Sequence, residues 1–123
     1  MTNYFLYVRK STDIEDKQVR SIEGQLGVLR ALAKAEGLNV VGEFIEKQSA
    51  KIPGRPVFNE ILTRIEKGEA QGIVCWKLDR LARNPVDGGQ ISWFLQRAII
   101  QHIQTHDRSY RPTDNFMLMS VEF

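Results

Sequence analysis

The sequence contains little cysteine, little histidine and no long hydrophobic run. One cysteine and two histidines among 123 residues exclude an intrachain disulfide and a zinc site built on cysteines. The one thiol, Cys75, lies in the apolar run at residues 73–76, so we expect it to be buried and inert. Because no apolar run could span a bilayer and no charged-then-apolar leader opens the chain, we expect a soluble, cytoplasmic protein with no membrane partner.

An excess of charge of one sign is also missing. Lys and Arg number 17 against 15 Asp and Glu, a difference too small to indicate a nucleic-acid partner by itself. Residues 9–13, directly after the first predicted strand, contain no glycine, which argues against a nucleotide-binding turn. A serine hydrolase is disfavoured because no G-x-S-x-G motif is present and both histidines, His102 and His106, come late in the chain.

The pattern that remains is that of one α/β domain. With 42% apolar residues, the chain can bury a core as a single unit. Strand and helix patterns alternate, and we expect strands at residues 4–9, 39–46, 72–76 and 99–105, with helices at 21–37, 56–68 and from Pro85 or Asp87 to Leu95. The strand at 72–76 is apolar throughout, which favours a central position. This alternation predicts a central, mostly parallel β-sheet of about four or five strands flanked by helices.

The end of the sequence has a different character. We predict a loop at residues 108–113 and, capped by Asp114, a helix at 115–123 that is apolar on almost all sides. The sequence stops soon after this helix begins. We therefore expect residues 1–123 to form one domain of a truncated chain whose missing remainder covers the apolar surface.

Three polar side chains mark the end of the first strand. Alternation along a strand places Tyr7, Arg9 and Ser11 on the same side, so a phenol, a guanidinium and a hydroxyl would emerge together, in a set suited to a phosphate. Taken alone, such an R-x-S tripeptide is more often a surface arginine beside a turn serine.

A second cluster follows the central strand, where open α/β sheets bind their ligands. Asp79, Arg80 and Arg83 lie within one helical turn, and both guanidinium groups could reach a shared anion. A third element is Arg55, which precedes Pro56 at the start of a helix. Each of these has a plain alternative, a solvated salt-bridge turn for the cluster and a surface loop cation for Arg55.

Together, in order and spacing, these motifs resemble the catalytic domain of serine recombinases, the resolvase and invertase family with its large integrase and transposase relatives. The resemblance covers almost the whole chain. The matching motifs are Tyr7-x-Arg9-x-Ser11-Thr12, Ser21-Ile22-Glu23-x-Gln25, Arg55-Pro56 before an apolar helix, and Lys77-Leu78-Asp79-Arg80-Leu81-x-Arg83.

The resemblance implies a role for each matching residue. It makes Ser11 the nucleophile in site-specific DNA recombination. It places four arginines around the scissile phosphate with an aspartate beside them: Arg9, Arg55, Arg80, Arg83 and Asp79. It also implies residues that support the site or bind DNA phosphates: Tyr7, Gln25, Glu46 and Ser49.

Two positions depart from the family pattern. Glu46 stands where an aspartate is usual, and Ala50 stands where a glycine commonly follows the loop serine, so Arg55 is the assignment that the resemblance supports least. Asp79 is a candidate for proton transfer. An aspartate between two arginines is more often a structural ion-pair partner, and we favour that interpretation.

The chemistry implied by the resemblance requires several arginines. Attack of a serine oxygen on a phosphodiester builds negative charge on the non-bridging oxygens, which preorganised guanidinium groups stabilise without a metal. A phosphoserine intermediate then conserves the backbone energy for religation. We expect no cofactor and no metal.

The implied partners are double-stranded DNA and further copies of the chain, as a homodimer and tetramer of the full-length protein. We expect the chain as given to fold, to bind DNA weakly and not to cleave it, because it would lack most of the family's long C-terminal helix. The main alternative is a catalytically inactive recombinase-like module for DNA association or dimerisation. The presence of Ser11 with all four arginines argues against that alternative.

Overall fold

The structure, a computed structural model, describes residues 2–10, 22–47 and 53–112, and it describes Asp79 and Arg80 through their backbone only. Strands and helices alternate along most of the described chain. In order they are β1 Asn3–Arg9, α1 Ile22–Glu36, β2 Asn39–Glu46, α2 Pro56–Glu66, β3 Gly72–Cys75, α3 Leu78–Leu81, α4 Pro85–Gln96, β4 His102–Gln104 and β5 Ser109–Tyr110.

The strands form one sheet in the order β2-β1-β3-β4-β5. Strands β2, β1, β3 and β4 are parallel neighbours, and β5 pairs antiparallel to β4. The predicted α/β fold with a mostly parallel sheet is confirmed. The apolar strand β3 is buried at all four residues and lies in the middle of the sheet, as its composition predicted.

Side chains of β1 alternate between two hydrophobic clusters. Phe5 and Tyr7 pack in the larger cluster with residues of α2 and α4, whereas Leu6 and Val8 pack in the smaller cluster with Leu29 of α1. A helix layer therefore covers each face of β1, and the period-2 pattern predicted from the sequence is present. Tyr7 lies on the α2 and α4 side.

The helices begin and end at residues that the sequence marks clearly. Pro56 and Pro85 occupy the first turns of α2 and α4, where a missing backbone N–H does no harm. Gly37 and Gly68 follow α1 and α2 with φ angles of 70° and 88°, a backbone conformation that favours glycine. None of the described helices is long and apolar enough to cross a membrane.

Two sequence predictions are wrong in detail. The fourth strand begins at His102 rather than residue 99, because the amides of Ile99 and Ile100 donate to the Phe94 carbonyl and close the end of α4. The segment predicted as a loop at 108–113 contains β5, which pairs Tyr110 with Ile103 of β4.

The predicted burial of Cys75 is confirmed, since the residue is 1% exposed. The helix predicted at 115–123 lies outside the described residues.

Candidate active site

The carboxyl ends of β1 and β2 lie side by side at one edge of the sheet. Arg9 is the last residue of β1 and pairs in register with Glu46, the last residue of β2. One residue further, the Lys10 amide donates to the Glu46 carbonyl at 2.9 Å, and Gln25 Nε2 of α1 donates to the Arg9 carbonyl at 3.4 Å. The backbone is thus fixed up to the residue before Ser11. Ser11 itself lies outside the described residues, as does Ser49.

Glu46 joins this edge to the N-terminus of α2. Its carboxylate accepts hydrogen bonds from the backbone amides of Phe58 at 2.9 Å and Val57 at 3.4 Å, and from the Tyr7 hydroxyl at 3.3 Å. A carboxylate in this position satisfies amides that the helix cannot satisfy itself and suits the positive end of the helix dipole. Glu46, placed by the resemblance beside the reaction, therefore also caps a helix from a neighbouring strand.

Arg55 lies just before α2 and is buried, with 1% of its side chain exposed. Its Nη1 donates to the Tyr7 hydroxyl at 2.9 Å, and its Nη2 donates to Asp87 Oδ2 at 2.9 Å. The face of the guanidinium lies 4.1 Å from the centre of the Phe58 ring, which adds a cation–π contact. A permanent cation is thus held in the interior by one carboxylate, one phenol and one aromatic ring.

Tyr7 lies at the centre of a buried polar group of five side chains, whose other members are Glu46, Arg55, Asp87 and Asn84. Burial raises the pKa of its phenol well above the ordinary value, an effect that Glu46 reinforces and that the cations Arg55 and Arg9 oppose. The phenol therefore keeps its proton at neutral pH and donates it to Glu46 while accepting from Arg55. Tyr7 acts as a neutral bridge between an anion and a cation.

Asp87 and Asn84 complete the group and were missed as site residues by the sequence analysis. Asp87 is 2% exposed and Asn84 is 4% exposed. Asn84 caps α4 by accepting from the Asp87 amide at 2.9 Å, and its Nδ2 donates to Asp87 Oδ2 at 2.8 Å. The spacing of Asn84 and Asp87 is that of a reciprocal N-cap, so the sequence carried a signal for the cap. It carried no signal for the ion pair with Arg55.

The second arginine cluster begins directly after the central strand. Asp79 and Arg80 belong to the single turn α3, which lies against β1, but their side chains lie outside the described part of the structure. Arg83 follows α3, is half-buried, and immediately precedes the buried Asn84. The segment that carries Arg83 is therefore tied to Arg55 through Asn84 and Asp87.

The structure brings five of the predicted site residues to the ends of β1 and β2, on or beside those strands: Tyr7, Arg9, Gln25, Glu46 and Arg55. All five are buried, whereas Arg83, which follows α3, is half-buried. Within residues 2–10, 22–47 and 53–112, no group of three or more His, Cys, Asp or Glu side chains is placed to hold a metal ion. This edge therefore holds the buried arginines Arg9 and Arg55, and Arg9 lies two residues before Ser11 in the sequence. Guanidinium groups are suited to binding an anion.

Comparisons with known proteins agree with the family resemblance found in the sequence. The family model described as "Resolvase, N terminal domain" matches residues 4–122. The chain is similar in structure to the N-terminal catalytic domain of TP901-1 integrase, with a TM-score of 0.74 and 19% identity over 98% of this chain and 93% of that chain. A resolvase family site-specific recombinase from Streptococcus pneumoniae gives a TM-score of 0.66 and 22% identity over 98% and 83%.

A third similar structure is the C-terminal catalytic domain of IS1535 TnpA, an IS607-like serine recombinase, with a TM-score of 0.61 and 26% identity over 83% of this chain and 69% of that chain. No curated protein matches the chain. At such identities the integrase and the Streptococcus protein show the shared fold, and the match of the family model extends over nearly the whole sequence.

Proposed function

The chain belongs to the resolvase family as a serine recombinase N-terminal catalytic domain, and we propose that it cleaves and rejoins DNA through a phosphoserine intermediate formed on Ser11. Family membership supports site-specific DNA recombination as the activity. The covalent step, the residues that perform it and the assembly on DNA are our proposal.

One observation carries this proposal. Arg9 ends β1 with 1% of its side chain exposed, and Ser11 follows it two residues later. The main chain between them is held by β2 through the Lys10 amide and by α1 through Gln25. A cation fixed in this way can stabilise charge that develops on a phosphate attacked by Ser11, because its surroundings need not reorganise during the reaction.

We propose the following step. The Ser11 oxygen attacks the phosphorus of a DNA phosphodiester and loses its proton, while the bond from phosphorus to the leaving deoxyribose oxygen breaks and that oxygen gains a proton. The guanidinium groups of Arg9, Arg55, Arg80 and Arg83 surround the phosphate and stabilise the charge on its non-bridging oxygens. Reversal of the step by the hydroxyl of another strand restores the serine and joins the new DNA. No nucleotide cofactor is required, because the phosphodiester energy is kept in the phosphoserine bond.

The partners proposed for this reaction are double-stranded DNA and further copies of the chain, as a dimer and a tetramer. Exchange of strands requires more than one nucleophile on the DNA at once, which is the reason for the assembly.

Because we expect residues 1–123 alone not to cleave DNA, the nucleophile is tested in the full-length protein with Ser11→Ala, and Ser21→Ala is the matched control. The protein is mixed with a supercoiled plasmid library carrying randomised inserts, in EDTA, and the reaction is stopped with detergent. Full-length wild type and the Ser21→Ala control should give a detergent-resistant protein–DNA adduct. Ser11→Ala should give none while its affinity for the same DNA stays within about 3-fold, because the hydroxyl forms the bond but contributes little to phosphate binding.

An adduct that persists in Ser11→Ala would show that another residue is the nucleophile. DNA cleavage that appears only after magnesium is added, without an adduct, would instead indicate a metal-dependent nuclease.

A further inference from the structure

Beside the predicted phosphate-binding residues lies a pair that the family resemblance did not assign, Asp87 and Asn84 at the start of α4. We call them the Asp87–Asn84 pair. Both side chains are buried, and both come from one helix N-terminus. A buried carboxylate is retained in a protein interior only where it is paired, and here its ionic partner is an arginine of the site.

The orientation of Asp87 is fixed by its own helix. Its amide donates to Asn84 Oδ1 at 2.9 Å, and its Oδ2 accepts from Asn84 Nδ2 at 2.8 Å. The first turn of α4 favours a carboxylate through the helix dipole. With both its backbone and its side chain bonded to Asn84, Asp87 presents Oδ2 in one direction, and Arg55 Nη2 binds this atom at 2.9 Å.

The orientation of Arg55 is in turn fixed by Asp87. Its Nη1 is bound by Tyr7 and one face is covered by Phe58, so the ion pair with Asp87 sets the remaining rotation of the guanidinium plane. Arg55 Nε is buried and has no hydrogen-bond partner within the described residues. The Arg55 guanidinium therefore has one N–H donor that is not used by the described residues and is available to an anion.

The same pair also fixes the segment that carries Arg83. Ala82 and Asn84 are both extended, with φ and ψ of −153° and 131° and of −121° and 154°, so Arg83 lies in a short extended link between α3 and α4. Such a link has no helical hydrogen bonds to define it. Its end is anchored where the Asn84 side chain bonds to Asp87, and this anchor fixes the backbone next to Arg83.

We propose that Asp87 and Asn84 are positioning residues of the recombination site, whose buried contacts hold Arg55 and Arg83 in one fixed arrangement. They do not touch the reacting atoms. This inference rests on the proposed function, since the arrangement matters for rate only if the arginines act on a phosphate.

The test uses Asp87→Asn, which removes the charge with almost no change in shape, and Asn84→Ser, which keeps a capping oxygen but removes the Nδ2 donor. Glu43→Gln is the control, because it breaks another arginine–carboxylate pair, the exposed contact of Arg30 with Glu43 at 2.6 Å. For each variant of the full-length protein we would measure the rate of adduct formation and the affinity for the same plasmid library. The side-chain ¹⁵N resonances of Arg55, assigned with Arg55→Lys, would report its order without DNA.

We expect Asp87→Asn to slow adduct formation about 100-fold, the effect of a small misplacement of a reacting group, with DNA affinity within about 3-fold. Asn84→Ser should lie between Asp87→Asn and wild type, and Glu43→Gln should match wild type. The Arg55 resonances should lose their protection from exchange in Asp87→Asn and keep it in Glu43→Gln.

Adduct formation by Asp87→Asn at or above the wild-type rate would overturn the inference, and a faster rate would show that the ion pair restrains Arg55 instead. Unchanged Arg55 resonances in Asp87→Asn would overturn it as well. If full-length wild type forms no adduct, the proposed function fails, and the Arg55 resonances still decide whether Asp87 orders that side chain.

Discussion

Arg9 and Arg55 are among the largest fully buried side chains of the chain, each with 1% of its surface exposed. Removing a guanidinium from water costs several kcal/mol unless partners compensate. Arg55 has Asp87, Tyr7 and Phe58 as partners, so its position is stabilised before any substrate arrives. Arginine suits this role better than lysine because its planar group stays charged and donates in several fixed directions.

Tyr7 provides a test of this buried polar group that needs no DNA. The pKa of Tyr7 in the folded chain is raised above the ordinary value of 10.0, so above that pH the unfolded chain releases a proton that the folded chain keeps. The free energy of unfolding should therefore fall as pH rises from about 9 to about 11, with a contribution from Tyr7 of up to about 1.4 kcal/mol per pH unit.

Denaturant titrations of wild type and Tyr7→Phe across this range would measure that contribution. The wild-type stability should fall more steeply than that of Tyr7→Phe. Parallel curves for the two proteins would mean that the Tyr7 phenol is not held in its neutral form by the fold.

Single residues also show which features of the site a local sequence pattern predicts and which it does not. Alternation along β1 correctly predicted that Tyr7 points to one face, because strand periodicity is a local property. The cap formed by Asn84 and Asp87 was visible as a spacing of three residues. The pairing of Asp87 with Arg55 spans 32 positions and depends on how α2 and α4 pack against the sheet, which no local pattern encodes.

Among the helices and strands, β2 stabilises the start of α2. The N-cap residue of α2, Arg55, forms no side-chain cap bond, and Glu46 at the end of β2 accepts from the Phe58 amide of the helix instead. The helix start is thereby fixed to the sheet edge. Arg55 lies directly before Pro56, the first residue of α2, so the contact that fixes the helix start also fixes the backbone next to Arg55.

We expect Glu46→Gln to lower the free energy of unfolding by about 1–2 kcal/mol, since it removes a buried anion from the N-terminus of α2 and leaves one of its donors less well satisfied. Glu60→Gln is the matched control, because Glu60 is an exposed residue of the same helix and should change stability little. Thermal or denaturant unfolding would measure both. Equal stability of Glu46→Gln and wild type would show that the cap contributes little to the fold.

The edges of the elements were harder to predict than their order. The β-branched residues Ile99 and Ile100 favour a strand locally, yet their amides close the end of α4, because the Phe94 carbonyl lies within reach only in the folded chain. The short strand β5 depends on a turn in which the Thr105 hydroxyl accepts from the Arg108 amide at 2.9 Å. Two residues of strand carry too little pattern to be recognised in sequence.

For the molecule as a whole, the strand order explains why distant motifs meet. β1 lies between β2 and β3 and is parallel to both, so the segments that follow these strands begin at the same edge of the sheet: Lys10 after β1, Lys47 after β2 and the short helix α3 after β3. Parallel strands place their carboxyl ends together, and this consequence of the α/β pattern was predictable from the sequence. The placement of Ser11 relative to the arginines of the site remains a prediction.

The attachment of DNA to Ser11 is the central claim, and peptide mapping tests it most directly. After digestion of the adduct with nuclease and trypsin, the remaining nucleotide should be found on the peptide of residues 11–17, which trypsin releases after Lys10 and Lys17. Fragmentation should locate it on Ser11 rather than on the neighbouring Thr12. A nucleotide on the peptide of residues 21–30, which begins at Ser21, or on that of residues 48–51, which contains Ser49, would contradict the account.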